Sequence, residues 1–381
     1  MNKLFRRAPR ELTVIVKVAD GSKTLPIKSS TTGQELMDQL AENYNIEAST
    51  SLFGFRYTNS KGKDSWIKLQ KKITSHDIKK EDVINLKLCV KYYPTNFEKE
   101  LKGETAKYIF CYYINTQIQS NDLYTPMSYY IVLTSLALQA ESGDYSDTYP
   151  GSHSQENNDR LRSKALVFRA EGYNMPLEQL QQDVIDCWKL HRGKSREDVS
   201  VNFLKIAKEL DSYGITYFDF KTPRGTEIHI GINNEGITIY EHGKKLTPKI
   251  GFVWNDITKV LYSGMNFIVK LMNSKTENIA ATVLDSKAAK PIFGLCMGNH
   301  ELYLRRQKLS NSLDSTNDEV ADKILKSKIE SLSKLFPVNQ STRAEDREYA
   351  ENQCIGRNQL IMMQQARSGS IEARVKQFKE L

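Results

Sequence analysis

The sequence predicts an α+β chain of several domains, because its periodicity changes twice along its length. Residues 11 to 93 alternate apolar and polar positions around a single helical stretch. Residues 95 to 210 carry apolar residues three and four apart, and residues 213 to 285 return to short alternating runs. At 381 residues the chain has room for about two to four ordinary domains.

In the first region, "ELTVIVKVA" puts Leu12, Val14, Val16 and Val18 on one face, the pattern of a half-buried strand. Asp20-Gly21 is a hairpin-type turn into "KTLPIKS". "TTGQELMDQLAENY" switches to helical period, with Leu36, Leu40 and Tyr44 on one stripe and Thr31 with Gln34 as a capping box. "LFGFRYT", a Lys61-Gly62 turn, "DSWIKL" and "VINLKLCVKYY" supply further strands. Two hairpin strands, a helix and more strands follow the order of a ubiquitin-like β-grasp, assigned to residues 11–94.

Residues 95–210 read as a helical bundle. "TAKYIFCYYINTQIQS", "SYYIVLTSLALQAESGDY", "PLEQLQQDVIDCWKLHRG" and "REDVSVNFLKIAKELDSYG" all carry i, i+3/i+4 apolar spacing, and the polar "GSHSQENNDR" between them reads as a loop. Residues 211–306 hold six short strand-like runs, "TYFDFKT", "TEIHIGIN", "GITIYEH", "KIGFVW", "ITKVLYSG" and "NFIVKLM". Pro223-Arg224-Gly225, Asn233 to Gly236, and Gly243 are turn formers between them. Closed by one helix, they suggest a small barrel or sandwich of the PH/PTB kind. "QKLSNSLDSTNDE", 307–319, is a polar linker. Residues 320–381 are helical, with a break at Pro337.

Composition narrows the function. An apolar content of 39% supports a sizeable core. No run approaches the ~18 uncharged apolar residues of a transmembrane helix. "MNKLFRRAPRELTV" lacks the apolar centre of a secretory signal, and position 2 is not the glycine that myristoylation needs. Cys89, Cys111, Cys187, Cys296 and Cys354 are scattered and never in CxxC spacing, which suits a reducing cytosol and neither a disulfide framework nor a zinc site. A net charge of +8 points to an anionic partner. With no long Lys/Arg block, RNP-like motif or zinc finger, nucleic acid is not expected.

One stretch could carry chemistry. "KPIFGLCMGNHELYLRR" puts Cys296, His300 and Glu301 within six positions. A zinc site needs three or four ligands, and neither a second pair at metal spacing nor an HExxH is present. Pro291 instead fits the first turn of a helix. Ile292, Leu295, Cys296, Asn299 and Leu302/Tyr303 then follow at 3.6 spacing, with Leu295 and Leu302 expected to pack into the barrel and a second face left free. His229 and His242 fall in strand and turn contexts and read as structural or solvated. No constellation of acid, base and nucleophile is found, so the expectation is a non-enzyme without metal or cofactor.

"LCMGNHELYLRR", together with "YGITYF", "GTEIHIGINNEGITIYE" and "LTPKIGFVWNDI" before it, resembles the FERM domain of ezrin, radixin, moesin and merlin. "LFGFRYTNSKGKDSWIKLQKKI", "QSNDLY" and "HRGKSREDVSVNFLKIAKEL" match as well, so the resemblance covers residues 11 to 306. "AENQCIGRNQLIMMQQARSGSIEARVKQFKEL" and "ILKSKIESLSKL" are similar to the family's C-terminal tail and the helix before it. The long charged helical segment that family members place between the two is replaced by roughly a dozen linker residues. The resemblance implies the FERM cloverleaf: a ubiquitin-like β-grasp, an acyl-CoA-binding-protein-like helical bundle and a PH/PTB-like barrel, followed by a helical tail.

The resemblance also implies sites. Family members bind phosphatidylinositol 4,5-bisphosphate between the first and third lobes, at positions matching Trp66, Lys68, Gln70, Lys71, Lys72 and Lys290. Alternation in "WIKLQKK" puts Lys68 and Gln70 on one strand face with Lys71-Lys72 at its end, and Lys290 stands at a helix start. The alternative for these lysines is a solvated edge guard. A second basic patch of the family reads "SGMNF", with Met265 and Asn266 where lysines usually stand, which implies weaker membrane affinity.

Cytoplasmic tails of adhesion receptors add as a strand to the third lobe. The matching edge is Lys259, Val260, Leu261, Tyr262 and Ser263, facing Phe293, Met297 and His300, with plain core packing as the alternative. The family's tail masks the second and third lobes. Here Ile355, Leu360, Met363, Val375, Phe378 and Leu381 are expected to supply its buried contacts, Phe378 alone being worth ~1.5–3 kcal/mol if fully buried. The linker spans at most ~40 Å, so masking within one chain and exchange in a dimer both stay open.

Two departures stand out. The family's phosphorylated tail threonine aligns with Met362, which cannot take a phosphate. "QLIMMQQAR" keeps only Arg367 of a basic actin-binding segment, which puts F-actin binding in question. The resemblance thus implies a membrane–cytoskeleton adaptor of the cytoplasm, the cytoplasmic face of the plasma membrane and the cell cortex. It would bind phosphoinositide and receptor tails and be autoinhibited by its tail. The alternative is a constitutively closed or swapped inhibitor without actin bridging.

Overall fold

The structure, a computed structural model, describes residues 11–78, 83–146, 161, 164–272, 278–285, 288–310 and 323–381. The expected loop 151–160 lies outside the described residues. So do 311–319 of the expected linker, whose first four residues belong to a helix, and 320–322 of the tail. The chain forms two compact units, one of residues 1–119, 133–157 and 185–204, the other of 120–132, 158–184 and 205–381.

The first unit opens with β1 (Glu11–Val18), β2 (Gly21–Lys28), α1 (Gly33–Tyr44), β3 (Phe53–Thr58), β4 (Asp64–Trp66) and β5 (Val83–Val90). The sheet order is β2-β1-β5-β3-β4, with β1 and β5 parallel and the other pairs antiparallel. Val14, Val16 and Val18 are buried on one face of β1, as their alternation demands. The β1–β2 turn is Ala19-Asp20, with Gly21 already paired to Val18, one residue earlier than expected.

The capping box is Thr32 with Glu35, not Thr31 with Gln34. The Thr32 hydroxyl accepts from the Glu35 N–H at 3.2 Å, and the Glu35 carboxylate accepts from the Thr32 N–H at 2.7 Å. Thr31 is buried and its hydroxyl accepts from the Lys28 N–H instead. This Glu35 bond holds its carboxyl below the ordinary carboxylate range.

The helices of the middle region are α2 (Phe97–Glu100), α3 (Glu104–Gln119), α4 (Met127–Ser142), α5 (Lys164–Gly172), α6 (Leu177–Lys189) and α7 (Arg196–Ala207); α4, α6 and α7 are divided between the units. Within the first unit, Phe110 of α3 packs edge-on to Phe53 and Tyr93, and the Cys111 thiol donates to the Ser200 carbonyl.

In the second unit, β6 (Thr216–Lys221), β7 (Glu227–Ile232), β8 (Gly236–Glu241), β9 (Pro248–Val253), β10 (Ile257–Ser263), β11 (Asn266–Leu271) and β12 (Ile279–Val283) form one antiparallel sheet in the order β10-β11-β12-β6-β7-β8-β9. Strand β12 is not among the six runs expected from sequence. "IAATV" is short and two of its five residues are alanine, a weak strand former. Helix α8 (Ala289–Ser310) closes the core. Its buried line is Ala289, Ile292, Cys296 and Asn299; Leu295 is half-buried and packs against this core as expected, whereas Leu302 is half-buried and Tyr303 packs there instead, a correction for Leu302.

The tail forms α9 (Lys323–Leu335), α10 (Ala344–Cys354), α11 (Gln359–Ala366) and α12 (Ile371–Glu380). Val375 and Phe378 of α12 enter the same apolar core as Ile250, Phe252 and Ile292.

Candidate binding surfaces

The N-terminal basic segment departs from the strand expected of it. Strand β4 ends at Trp66, and Lys68 and Gln70 lie beyond it in a turn, so they do not share a strand face. The cause is the start of α1. Its first N–H groups, on Gly33 and Gln34, donate to the carbonyls of Lys71 at 3.0 Å and Leu69 at 2.8 Å. The Lys68 N–H donates to His76 Nε2 at 2.9 Å. The segment therefore wraps over the helix end, satisfying its orphan donors. Gly33 permits this approach, since a Cβ there would meet Ile67 at 2.8 Å and the Leu69 backbone at 2.9 Å.

Ile67 and Ile73 are buried anchors, and the side chains of Lys68, Gln70, Lys71 and Lys72 stand exposed between them. Trp66 is half-buried, with Arg56 at 5.6 Å and Lys91 at 5.8 Å from its ring centre. Burial lowers the pKa of Lys91. These two cations were missed in the sequence, although Arg56 pairs directly with Trp66 in the β3–β4 register. Lys290, exposed in the first turn of α8, belongs to the other unit.

The second surface lies wholly in the second unit. Strand β10, carrying Lys259, Val260, Leu261, Tyr262 and Ser263, is an edge of the seven-stranded sheet and, among the described residues, pairs only with β11. Val260 points into the core, while Lys259, Tyr262 and Ser263 are exposed. Helix α8 runs beside this edge. Phe293 is half-buried with its ring 5.2 Å from Tyr262, and Met297 is 43% exposed. His300 is half-buried, its ring 5.7 Å from Trp254.

An edge with unpaired backbone groups beside an apolar helix face is the geometry that receives an extended peptide. Cys296 faces the other way, fully buried, and burial pushes its thiol up. Among the described residues no three of His, Cys, Asp and Glu gather as a metal site requires. His229 is buried, hydrogen-bonded to Asp219 at 2.6 Å, and accepts the Gly243 N–H at 3.0 Å.

The third surface is the contact of the tail with the rest of the second unit. Met363, Val375 and Phe378 are buried and Leu381 is half-buried. Ile355 and Leu360 correct the expectation, since they are 60% and 68% exposed. Residues 343–367 read in sequence as one helical segment. Gly356, with φ of +67°, instead ends α10, and α11 restarts in a new register that buries Met362, Met363 and Ala366.

The seating of α10 is polar. Asp346, fully buried, accepts from Tyr124 at 2.7 Å and Ser341 at 2.6 Å. Glu348 accepts from the Leu246 N–H at 3.0 Å and the Thr247 hydroxyl at 2.8 Å. Arg367 pairs with Glu235 at 2.6 Å, and Arg374 donates to the Gly251 carbonyl at 2.6 Å and to Asp256 at 3.0 Å. Gln359 donates to the Asp211 carbonyl. These polar positions were missed because an apolar-stripe search passes over a helix whose inward face carries Asp346, Glu348 and Asn352.

Family models match in chain order: the FERM N-terminal domain over residues 16–79, the FERM central domain over 96–218 and the FERM C-terminal PH-like domain over 222–311. The chain is 36% identical over 299 residues to "Moesin/ezrin/radixin homolog 1" of Aedes aegypti, covering 78% of this chain and 50% of the relative. The homologue from Culex quinquefasciatus is equally similar. The chain thus spans about half the length of these curated relatives.

Among solved structures, the FERM and C-terminal domain complex of Drosophila Merlin matches with a TM-score of 0.70 and 27% identity. The match covers 80% of this chain and all of that one. The MyTH4-FERM MF1 domain of Dictyostelium discoideum myosin VII shares the fold, at a TM-score of 0.53 and 18% identity over 80% of this chain and 60% of that one. With all three FERM lobes in order over most of its length, and a Merlin FERM–tail structure matching four fifths of it, the chain belongs to the ezrin/radixin/moesin–merlin family of FERM proteins.

Proposed function

We propose that this chain is a self-masked membrane–cytoskeleton adaptor and not an enzyme. The observation that carries the reading is the seating of α10, α11 and α12 against the second unit through buried groups from Asp346 to Phe378. A buried polar network together with two core side chains is the contact of a specific lid, not of a loose tail. The Merlin structure is a complex of FERM and C-terminal domains, which supports the same pairing here.

In the open form, β10 and α8 receive a cytoplasmic segment of a membrane protein as an added strand. Lys68, Gln70, Lys71 and Lys72 beside Trp66, and Lys290 on the other unit, contact phosphoinositide headgroups at the cytoplasmic face of the plasma membrane. Each lysine near an anionic leaflet adds ~1 kcal/mol, so attachment is reversible and salt-sensitive. Among the described residues no helix is long and apolar enough to cross a membrane.

A second reading is a permanently closed or domain-swapped inhibitor that does not bridge to actin. Met362 favours it, being buried where a phosphate would otherwise break the contact, as does the engagement of Arg367 by Glu235. Comparing the chain with a version ending at residue 310 separates the two readings. The adaptor binds phosphoinositide vesicles in both forms and more tightly without its tail. An inhibitor stays unbound until the tail is removed, and the tail itself does not pellet with actin filaments.

A further inference from the structure

We propose that the outer face of the β1–β5–β3–β4 sheet is a further anion site, and that it binds an acidic peptide segment of a protein partner. The face lies wholly in the first unit and meets the lysines beyond β4 only at Trp66. It is independent of the lid.

Register fixes the face. Lys17 of β1 stands opposite Lys87 of β5, Lys87 opposite Arg56 of β3, and Arg56 opposite Trp66 of β4. Cross-strand partners share one side of a sheet, and the adjoining pairs Val16 with Leu86 and Phe55 with Leu88 are buried on the other. Three cations thus cross three neighbouring strands, ~4.8 Å apart by strand spacing, and end on an indole. Like charges directly opposite one another destabilise a sheet, so the fold alone does not account for this row. Lys17 and Lys87 are exposed, and among the described residues neither has an ion-pair partner.

A fourth cation stands beside the indole. Lys91 follows Lys87 and Cys89 at the two-residue period of β5 and is half-buried. Its ammonium is 5.8 Å from the Trp66 ring centre and 5.2 Å from that of Tyr92. Gly54 allows this packing, since a Cβ there would meet the Trp66 ring at 3.0 Å and the Lys91 side chain at 3.2 Å. Burial lowers the pKa of Lys91, and no carboxylate among the described residues pairs with it. Arg56 meets Asp64 at 3.2 Å, yet its Nε is buried without a hydrogen-bond partner among the described residues. Asp64 is therefore the one carboxylate paired with these four cations among the described residues.

The shape of the face favours a peptide over a lipid leaflet. Lys17 and Lys87 stand out from the sheet, whereas Lys91 is recessed beside Trp66. A leaflet presents its charge as a plane, while side-chain carboxylates on a peptide reach both depths. Ile15, half-buried, and Val83, 38% exposed, lie on the same face two and four residues before Lys17 and Lys87. They offer apolar contact to a segment that carries apolar residues among its acids.

The test uses the full chain with a labelled peptide of glutamates and interspersed leucines, and a control peptide with glutamine in place of glutamate. Trp188 and Trp254 are each 1% exposed, so acrylamide quenching of tryptophan emission reports Trp66. At low ionic strength the glutamate peptide is expected to shield Trp66 and to bind at least about fivefold more tightly than the control, and salt should shrink the difference. Lys17→Gln with Lys87→Gln is expected to weaken the glutamate peptide about fivefold. The same variant is expected to keep its binding to phosphoinositide vesicles and to melt at a slightly higher temperature, as a like-charge pair is removed. Equal affinity for the two peptides, or unchanged affinity in the double variant, overturns the proposal. A double variant that loses vesicle binding instead assigns the face to the lipid site, and one with a lowered melting temperature assigns the lysines to the fold; either result overturns it as well.

Discussion

Arg374 of the last helix donates to the Asp256 carboxylate at 3.0 Å, with both side chains largely buried. The same guanidinium caps the Gly251 carbonyl of β9 and lies 5.1 Å from the centre of the Phe252 ring. One tail residue thus satisfies an edge-strand carbonyl, neutralises a carboxylate and covers an aromatic face. Removing one partner of a buried pair strands the other, at a cost of about 3–5 kcal/mol. Arg374→Met is expected to release α12, seen as lost protection of residues 371–380. Arg374→Met with Asp256→Asn is expected to recover part of that loss. A double variant as open as the single one removes the pair from the account.

Phe378 and Leu360 make a matched contrast on one tail. Phe378 is 2% exposed and Leu360 68%. Phe378→Ala is expected to cost about 3–5 kcal/mol through the cavity it leaves. Leu360→Ala is expected to stay within about 0.5 kcal/mol. Thermal unfolding with tail exchange distinguishes them, and equal losses would mean that the α11 register is misassigned.

The peptide groove has a surface test. Met297 is exposed beside β10, so Met297→Glu leaves the core intact while adding charge to the proposed groove wall. Stability is expected to change by less than about 0.5 kcal/mol. Affinity of a tail-less form for membrane-protein tail peptides is expected to drop at least about tenfold, as an apolar contact surface is charged. Undiminished affinity would place the peptide elsewhere.

The lysines test the lipid reading. Lys68→Asn, Lys71→Asn and Lys290→Asn together are expected to remove about 3 kcal/mol of vesicle affinity at low salt, near 1 kcal/mol each. The loss should shrink as ionic strength rises. A triple variant that sediments like wild type with phosphoinositide vesicles refutes the assignment.

Much of the fold was legible because periodicity and turn chemistry agree locally. Val14, Val16 and Val18 announce a strand, and Leu36 and Leu40 a helix, and each is buried accordingly. Strand β12 escaped because its alanines carry little β preference and its place is set by β6 and β11. The bend after Trp66 escaped because alternation in "WIKLQKK" mimics a strand, while the competing force is the need of the α1 N–H groups for acceptors. In the tail, Val375 and Phe378 could be read from spacing, whereas Asp346 and Glu348 are inward-facing only because Tyr124 and Thr247 await them. Polar partners far apart in sequence leave no periodic trace.

The central claim is that the tail closes over its own chain, and hydrogen exchange of residues 371–380 in the full chain at several protein concentrations tests it most directly. The account predicts protection factors above about 100, unchanged on dilution. Exchange at the rate of an unstructured peptide, at any concentration, would contradict it.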